Sequence, residues 1–165
     1  MTPIFIADAM LGGLARWLRL LGFDTVYEAG IADAMLVRRA IEEDRAILTQ
    51  DRRLPVEWHL PEVYLVQAEE PRAQLAEVVR VFDLGAQARL FTRCNRCNTA
   101  LERLETEEIV VRVPPRVRER HRVFFHCPGC GRVYWHGSHT ERIRRAVEQA
   151  VAGSGTDSEG HGLGQ

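Results

Sequence analysis

The chain has 165 residues, a formal net charge of -1, 45% hydrophobic and 27% charged residues, and no lysine. That length holds one medium or two small folded units with a real core. The missing lysine excludes P-loop phosphate binding and Schiff-base chemistry, both of which need its amine. No apolar run approaches the roughly 20 residues that span a bilayer. The N-terminus lacks the basic region of a signal peptide, which predicts a cytoplasmic location and no membrane partner.

The charge is unevenly placed. Residues 1–88 carry nine arginines and fourteen acids, whereas residues 89–145 carry thirteen arginines and six acids. An acidic half next to a basic half suits a cation site beside a surface that attracts polyanions. Two solvated surfaces of opposite sign would give the same count.

Residues 4–8, Ile-Phe-Ile-Ala-Asp, read as a buried strand stopped by a carboxylate. Residues 10–21 read as a helix, with Met10, Leu14, Trp17 and Leu21 on one stripe, Leu11, Ala15 and Leu18 beside it, and Arg16 and Arg19 on a polar face. Gly22 suits its C-terminal end. Asp24 to Tyr27 is a second strand. Asp33 stands where a helix N-cap belongs, ahead of inward Leu36, Val37, Ala40 and Ile41. Residues 46–50 form a strand ending at Asp51. Pro55 and Pro61 bracket a loop with Trp58 and His59. Val63 to Val66 is a fourth strand, and Pro71 opens a helix with Leu75, Val78, Val79 and Phe82 inward. This alternation predicts a small parallel sheet flanked by helices over residues 1–90.

Beyond Arg89 the texture changes. Ile109 to Val113 and Val123 to Phe125 read as β-rich, residues 139–152 as a C-terminal helix, and 153–165 as a disordered tail. Two C-x-x-C units, Cys94–Cys97 and Cys127–Cys130, fall within residues 91–138. Two such units bring four sulfurs around one ion, the closed coordination of a structural zinc ribbon. Disulfides, free core thiols and a rubredoxin-like iron centre are the alternatives.

Asp8, Asp33 and Asp51 each have an ordinary explanation as a cap or turn residue. Together they end two strands and begin one helix, so a parallel sheet places all three at its carboxyl edge. Clustered carboxylates call for a cation, and Mg²⁺ or Mn²⁺ suits oxygen ligands. Arg16, Arg19, Arg52 and Arg53 are candidates to hold phosphates nearby.

The run from Asp8 to Arg19, then Asp33, Ile47 to Arg52, Arg93 to Asn98, Cys127 to Cys130, and Tyr134 to His139 resembles the RNase domain with appended zinc ribbon that ends the Mut-seven exonucleases. The resemblance implies a PIN-like α/β fold and metal-dependent hydrolysis of RNA, with Asp8, Asp33 and Asp51 as Mg or Mn ligands. It makes His139 a candidate active-site or RNA contact. PIN nucleases usually have a fourth acidic residue, and none is assigned here. The basic ribbon, including Arg93, Arg96, Arg112, Arg116, Arg118, Arg120 and Arg122, suits a single-stranded RNA backbone. A non-catalytic RNA- or ribosome-binding protein on the same fold is the alternative.

Overall fold

The computed structural model describes residues 2–60 and 62–152, with the side chains of residues 138–140, 147 and 150–152 left out. The tail expected to be disordered and Pro61 therefore lie outside the described residues. Four parallel strands form the first sheet: β1 (Phe5–Ala7), β2 (Thr25–Tyr27), β3 (Ala46–Thr49) and β4 (Val63–Leu65), in the order β2-β1-β3-β4. The register aligns Ile6 with both Val26 and Ile47, and Leu48 with Tyr64.

The helices are α1 (Gly12–Leu20), α2 (Asp33–Glu42), α3 (Leu54–Trp58) and α4 (Pro71–Val81). Strand order reverses direction between β1 and β3. Right-handed crossovers then put α1 on one face and α2 and α3 on the other. The buried side chains follow that division. Phe5, Ala7 and Leu48 pack with Leu14 and Leu18 of α1 and Leu75 and Val78 of α4. Ile6 and Ile47 pack with Leu36, Val37 and Ala40 of α2 and Leu54 of α3. Each fully buried large aliphatic or aromatic side chain contributes about 1.5–3 kcal/mol.

Several expectations need correction. Asp33 is the first residue of α2; the N-cap is Ala32, which makes no side-chain cap bond. Ile41 is 69% exposed because it lies past the edge of the Leu36–Val37–Ala40 stripe. Met10 belongs to a short 3-10 turn, Ala9–Leu11, and is exposed rather than on the α1 stripe. The segment between the two prolines is not a loop throughout: Pro55 seeds α3, and His59 in left-handed conformation ends it. At the end of α1, Gly22 (φ +91°) donates to Arg19 O and Phe23 donates to Leu18 O, a Schellman closure. A Cβ on Gly22 would lie 2.4 Å from Arg89 O, so glycine also lets the following segment pass against α1.

The second sheet is antiparallel, with β5 (Glu102–Arg103), β6 (Phe124–His126) and β7 (Val133–Trp135) in chain order. Between β5 and β6 lie α5 (Thr106–Arg112) and α6 (Pro115–Arg120). The β-branched run Ile109 to Val111 is therefore helical, against expectation. A capping box between Glu105 and Glu108 starts that helix. Only Ile109 and Val113 reach the small core of Leu104, Phe124, Val117, Val133 and Trp135. Val110 and Val111 face solvent. The last helix, α7 (Ser138–Ala152), packs along α4.

Candidate active site and metal centre

Open parallel sheets bind ligands beyond the carboxyl ends of their strands, where the strand order reverses. That point here lies between β1 and β3. Asp8 follows β1 and is 7% exposed. Its backbone N–H extends the ladder by donating to Leu48 O at 3.0 Å. Its carboxylate accepts from Ala9 N and, across the strand gap, from the Thr49 hydroxyl, each at 2.6 Å. The fully buried Thr49 hydroxyl in turn accepts from Asp51 N at 3.0 Å. Asp51 Oδ1 accepts from Arg53 N at 2.9 Å, closing a tight turn. One hydroxyl thus links the two acidic strand ends, a role that sequence reasoning missed. Its trace in the sequence is a threonine ending a strand two residues before an aspartate.

Asp33 begins α2, exposed, on the same carboxyl edge. The three aspartates share that edge without meeting. Among the described residues, only the four cysteines form a group of three or more His, Cys, Asp or Glu whose ligand atoms lie within 4.8 Å of one another. Arg16 and Arg52 are exposed, and neither is ion-paired with a carboxylate among the described residues. The side chain of His139 lies outside the described residues.

The cysteine cluster is the structure's clearest metal-binding set. Cys94 and Cys127 are buried, Cys97 and Cys130 exposed. The sulfurs of Cys94 and Cys130 are 3.6 Å apart, and those of Cys97 and Cys127 are 3.4 Å apart. Four sulfurs drawn from two turns, one closed by the isolated Arg93–Ala100 bridge and the other joining β6 to β7, match a closed tetrahedral thiolate site. The Thr99 hydroxyl, 3.3 Å from Cys97 Sγ, pulls that thiol down to about 6. Burial pushes the Cys127 thiol up to about 12. The Tyr134 hydroxyl lies 2.9 Å from Cys94 Sγ and donates to Asn95 Oδ1 at 3.0 Å, orienting the first turn.

Two arginines expected to meet substrate serve the fold. Arg19 is 4% exposed. Its Nε donates to Thr25 O at 2.8 Å, and its Nη1 donates to Arg96 O at 2.8 Å and Asn95 O at 3.4 Å. The arginine therefore fastens α1 and β2 to the first cysteine turn. Burial lowers its pKa, although the Cys94 and Cys97 thiols and Asp24 oppose the shift. Arg93 donates to Asn98 O at 2.9 Å and pairs with Asp24 at 3.0 Å. Asp24, read in the sequence only as the start of a strand, also accepts from Arg45 at 2.6 Å and Asn98 at 2.8 Å. Burial alone would raise the Asp24 carboxyl. The bonds from Arg45 and Asn98, with the charges of Arg45 and Arg93, outweigh burial and hold it below its usual value.

A parallel α/β sheet with an acidic carboxyl edge, carrying a four-cysteine cluster that could hold a metal, defines the class of protein. The sequence matches the Mut7-C RNAse domain over residues 3–147, and the chain belongs to that family. No curated protein and no solved structure gives a significant match.

Proposed function

We propose that the chain is a PIN-like, metal-dependent ribonuclease hydrolysing RNA phosphodiester bonds at the carboxyl edge of its parallel sheet. The observation that carries this reading is the pairing of Asp8 and Asp51 through Thr49 at the reversal of strand order. Asp8, Asp33 and Asp51 offer hard oxygen donors of the kind that hold Mg²⁺ or Mn²⁺. Such an ion, when bound, supplies water activation and neutralises charge developing on a phosphoryl group. The chain's own part is positioning. Thr49 fixes Asp8 in one orientation, and the turn at Arg53 fixes Asp51. Asp33, on a helix terminus, and Arg52 stand exposed at the rim, where a strand of RNA is reached from solvent.

The four cysteines hold zinc, in this reading, as a structural ion. All four coordination positions are taken by protein sulfur, which leaves none for substrate. A zinc-loaded chain freed of Mg²⁺ and Mn²⁺ should leave single-stranded and structured RNA intact. Cleavage should begin when either ion is added and should vanish in Asp51→Asn. Equal cleavage by that variant refutes the proposal. The exposure of Asp33, with no close group of the three carboxylates among the described residues, favours a second reading: an RNA- or ribosome-binding protein without catalysis. RNA binding with no metal-dependent cleavage would establish it.

A further inference from the structure

A cleft of about 420 Å³ opens where α1 and β2 meet the first cysteine turn. It is lined by Arg16, Arg19, Tyr27, Asn95, Arg96 and Arg132. Four of these six residues are arginines, and among the described residues none of the four is ion-paired with a carboxylate, although eight other arginines are. Arg19 forms a buried part of the wall, held rigid by the three carbonyls it binds. Arg16, Arg96 and Arg132 are exposed at the cleft from three separate segments. Guanidinium groups brought to one cleft from α1, the first cysteine turn and the second suit a phosphate's geometry better than scattered surface charge does.

The cleft adjoins the acidic edge. Tyr27 lines it, and the Tyr27 hydroxyl donates to Ala9 O at 3.1 Å, one residue from Asp8. Gly12 keeps that route tight, since a Cβ there would lie 2.7 Å from the Tyr27 hydroxyl. We propose that this cleft binds the phosphodiester backbone of the RNA strand whose next phosphates pass Asp8. The proposal rests on the ribonuclease reading for its direction of travel but is tested by binding alone. Arg96, already on the basic ribbon, and Arg132, which the cleft adds, lie one in each cysteine-turn segment, so the cysteine cluster places them.

The test uses the zinc-loaded full chain and a fluorescein-labelled 12-nucleotide oligouridylate, with no Mg²⁺ or Mn²⁺ added. Fluorescence anisotropy across a salt series gives affinity and its salt dependence. Arg96→Gln and Arg132→Gln should each weaken binding about fivefold. Each should also reduce the slope of log K against log salt by about 0.7, the value for one lost single-strand phosphate contact. Arg96→Lys and Arg132→Lys should recover most of the slope, and Arg38→Gln, on α2 and paired with Glu42, should change neither quantity. Urea midpoints and zinc content serve to confirm folding of each variant. Wild-type affinity and slope in both glutamine variants would overturn the proposal, as would an equal loss in Arg38→Gln. A wild-type chain that binds through this cleft yet never cleaves would count against the ribonuclease reading alone.

Discussion

Arg19→Met tests the clamp between the α/β layer and the cysteine turns. Methionine keeps much of the aliphatic stem but none of the donors. The bond from Nε to Thr25 O is buried and 2.8 Å long, and the bond from Nη1 to Arg96 O is partly buried and equally short. Bonds from charged donors contribute about 1.5–3 kcal/mol each where water is excluded. The partly exposed bond counts for less, and the 3.4 Å contact to Asn95 O for almost nothing. Against their sum stands the desolvation of a guanidinium that is 4% exposed, a cost the variant no longer bears. The net loss is about 2–3 kcal/mol. With a urea m-value of about 2 kcal/mol/M for a chain of this size, the unfolding midpoint should fall by about 1–1.5 M. Because two of the three lost acceptors belong to the first cysteine turn, the zinc proposed there should also pass faster to a competing chelator. An unchanged midpoint together with unchanged zinc transfer would refute the clamp.

Thr49→Val should cost about 2–3 kcal/mol, since it strips a buried bond from the Asp8 carboxylate and orphans Asp51 N. It should lower kcat/KM for RNA at least tenfold, with Thr49→Ser restoring both; full activity in the valine variant would show that Thr49 does not position the acids. Asp24→Asn should lose about 2 kcal/mol at neutral pH, because it breaks a partly buried carboxylate away from Arg45 and Arg93. The folded-state Asp24 carboxyl sits below its unfolded value, so its stabilisation is complete above about pH 4 and drains as pH falls through the folded value. The gap between wild type and variant in urea melts should therefore close below about pH 4; a constant gap would refute the charge argument. Removing the zinc proposed for the four cysteines should erase amide protection across 94–135 first, while β1 and β3 stay protected in hydrogen exchange. Simultaneous loss in both regions would show that the metal governs the whole fold.

Much of the acidic edge was legible from residue order. A buried run that stops at Asp8, and another that stops at Asp51, fix two carboxylates at strand ends once the strands are parallel. The arginines were not legible in the same way. Arg16 and Arg19 look equivalent in sequence, three residues apart on one helix, yet one meets solvent and the other is walled in by the first cysteine turn. That difference depends on a segment more than 70 residues further along, as the bond from Arg19 to Arg96 O spans 77 positions. The pairing of Arg93 was hidden for the same reason: its partner Asp24 is remote in sequence. The helix at Thr106–Arg112 was hidden by β-branched residues, whose strand preference yields to a capping box and a single inward stripe.

The sequence alone determined the alternation of strands and helices, the two cysteine turns and the acidic strand ends, because each rests on local spacing. Which strands neighbour one another, and hence where the order reverses, depends on the burial of both sheet faces. The Thr49 bridge, the Arg19 clamp and the four-arginine cleft exist only after distant segments pack. Side-chain charge is written in the sequence, but whether a guanidinium is used up by carbonyls or left to face an anion is decided by what the fold sets beside it.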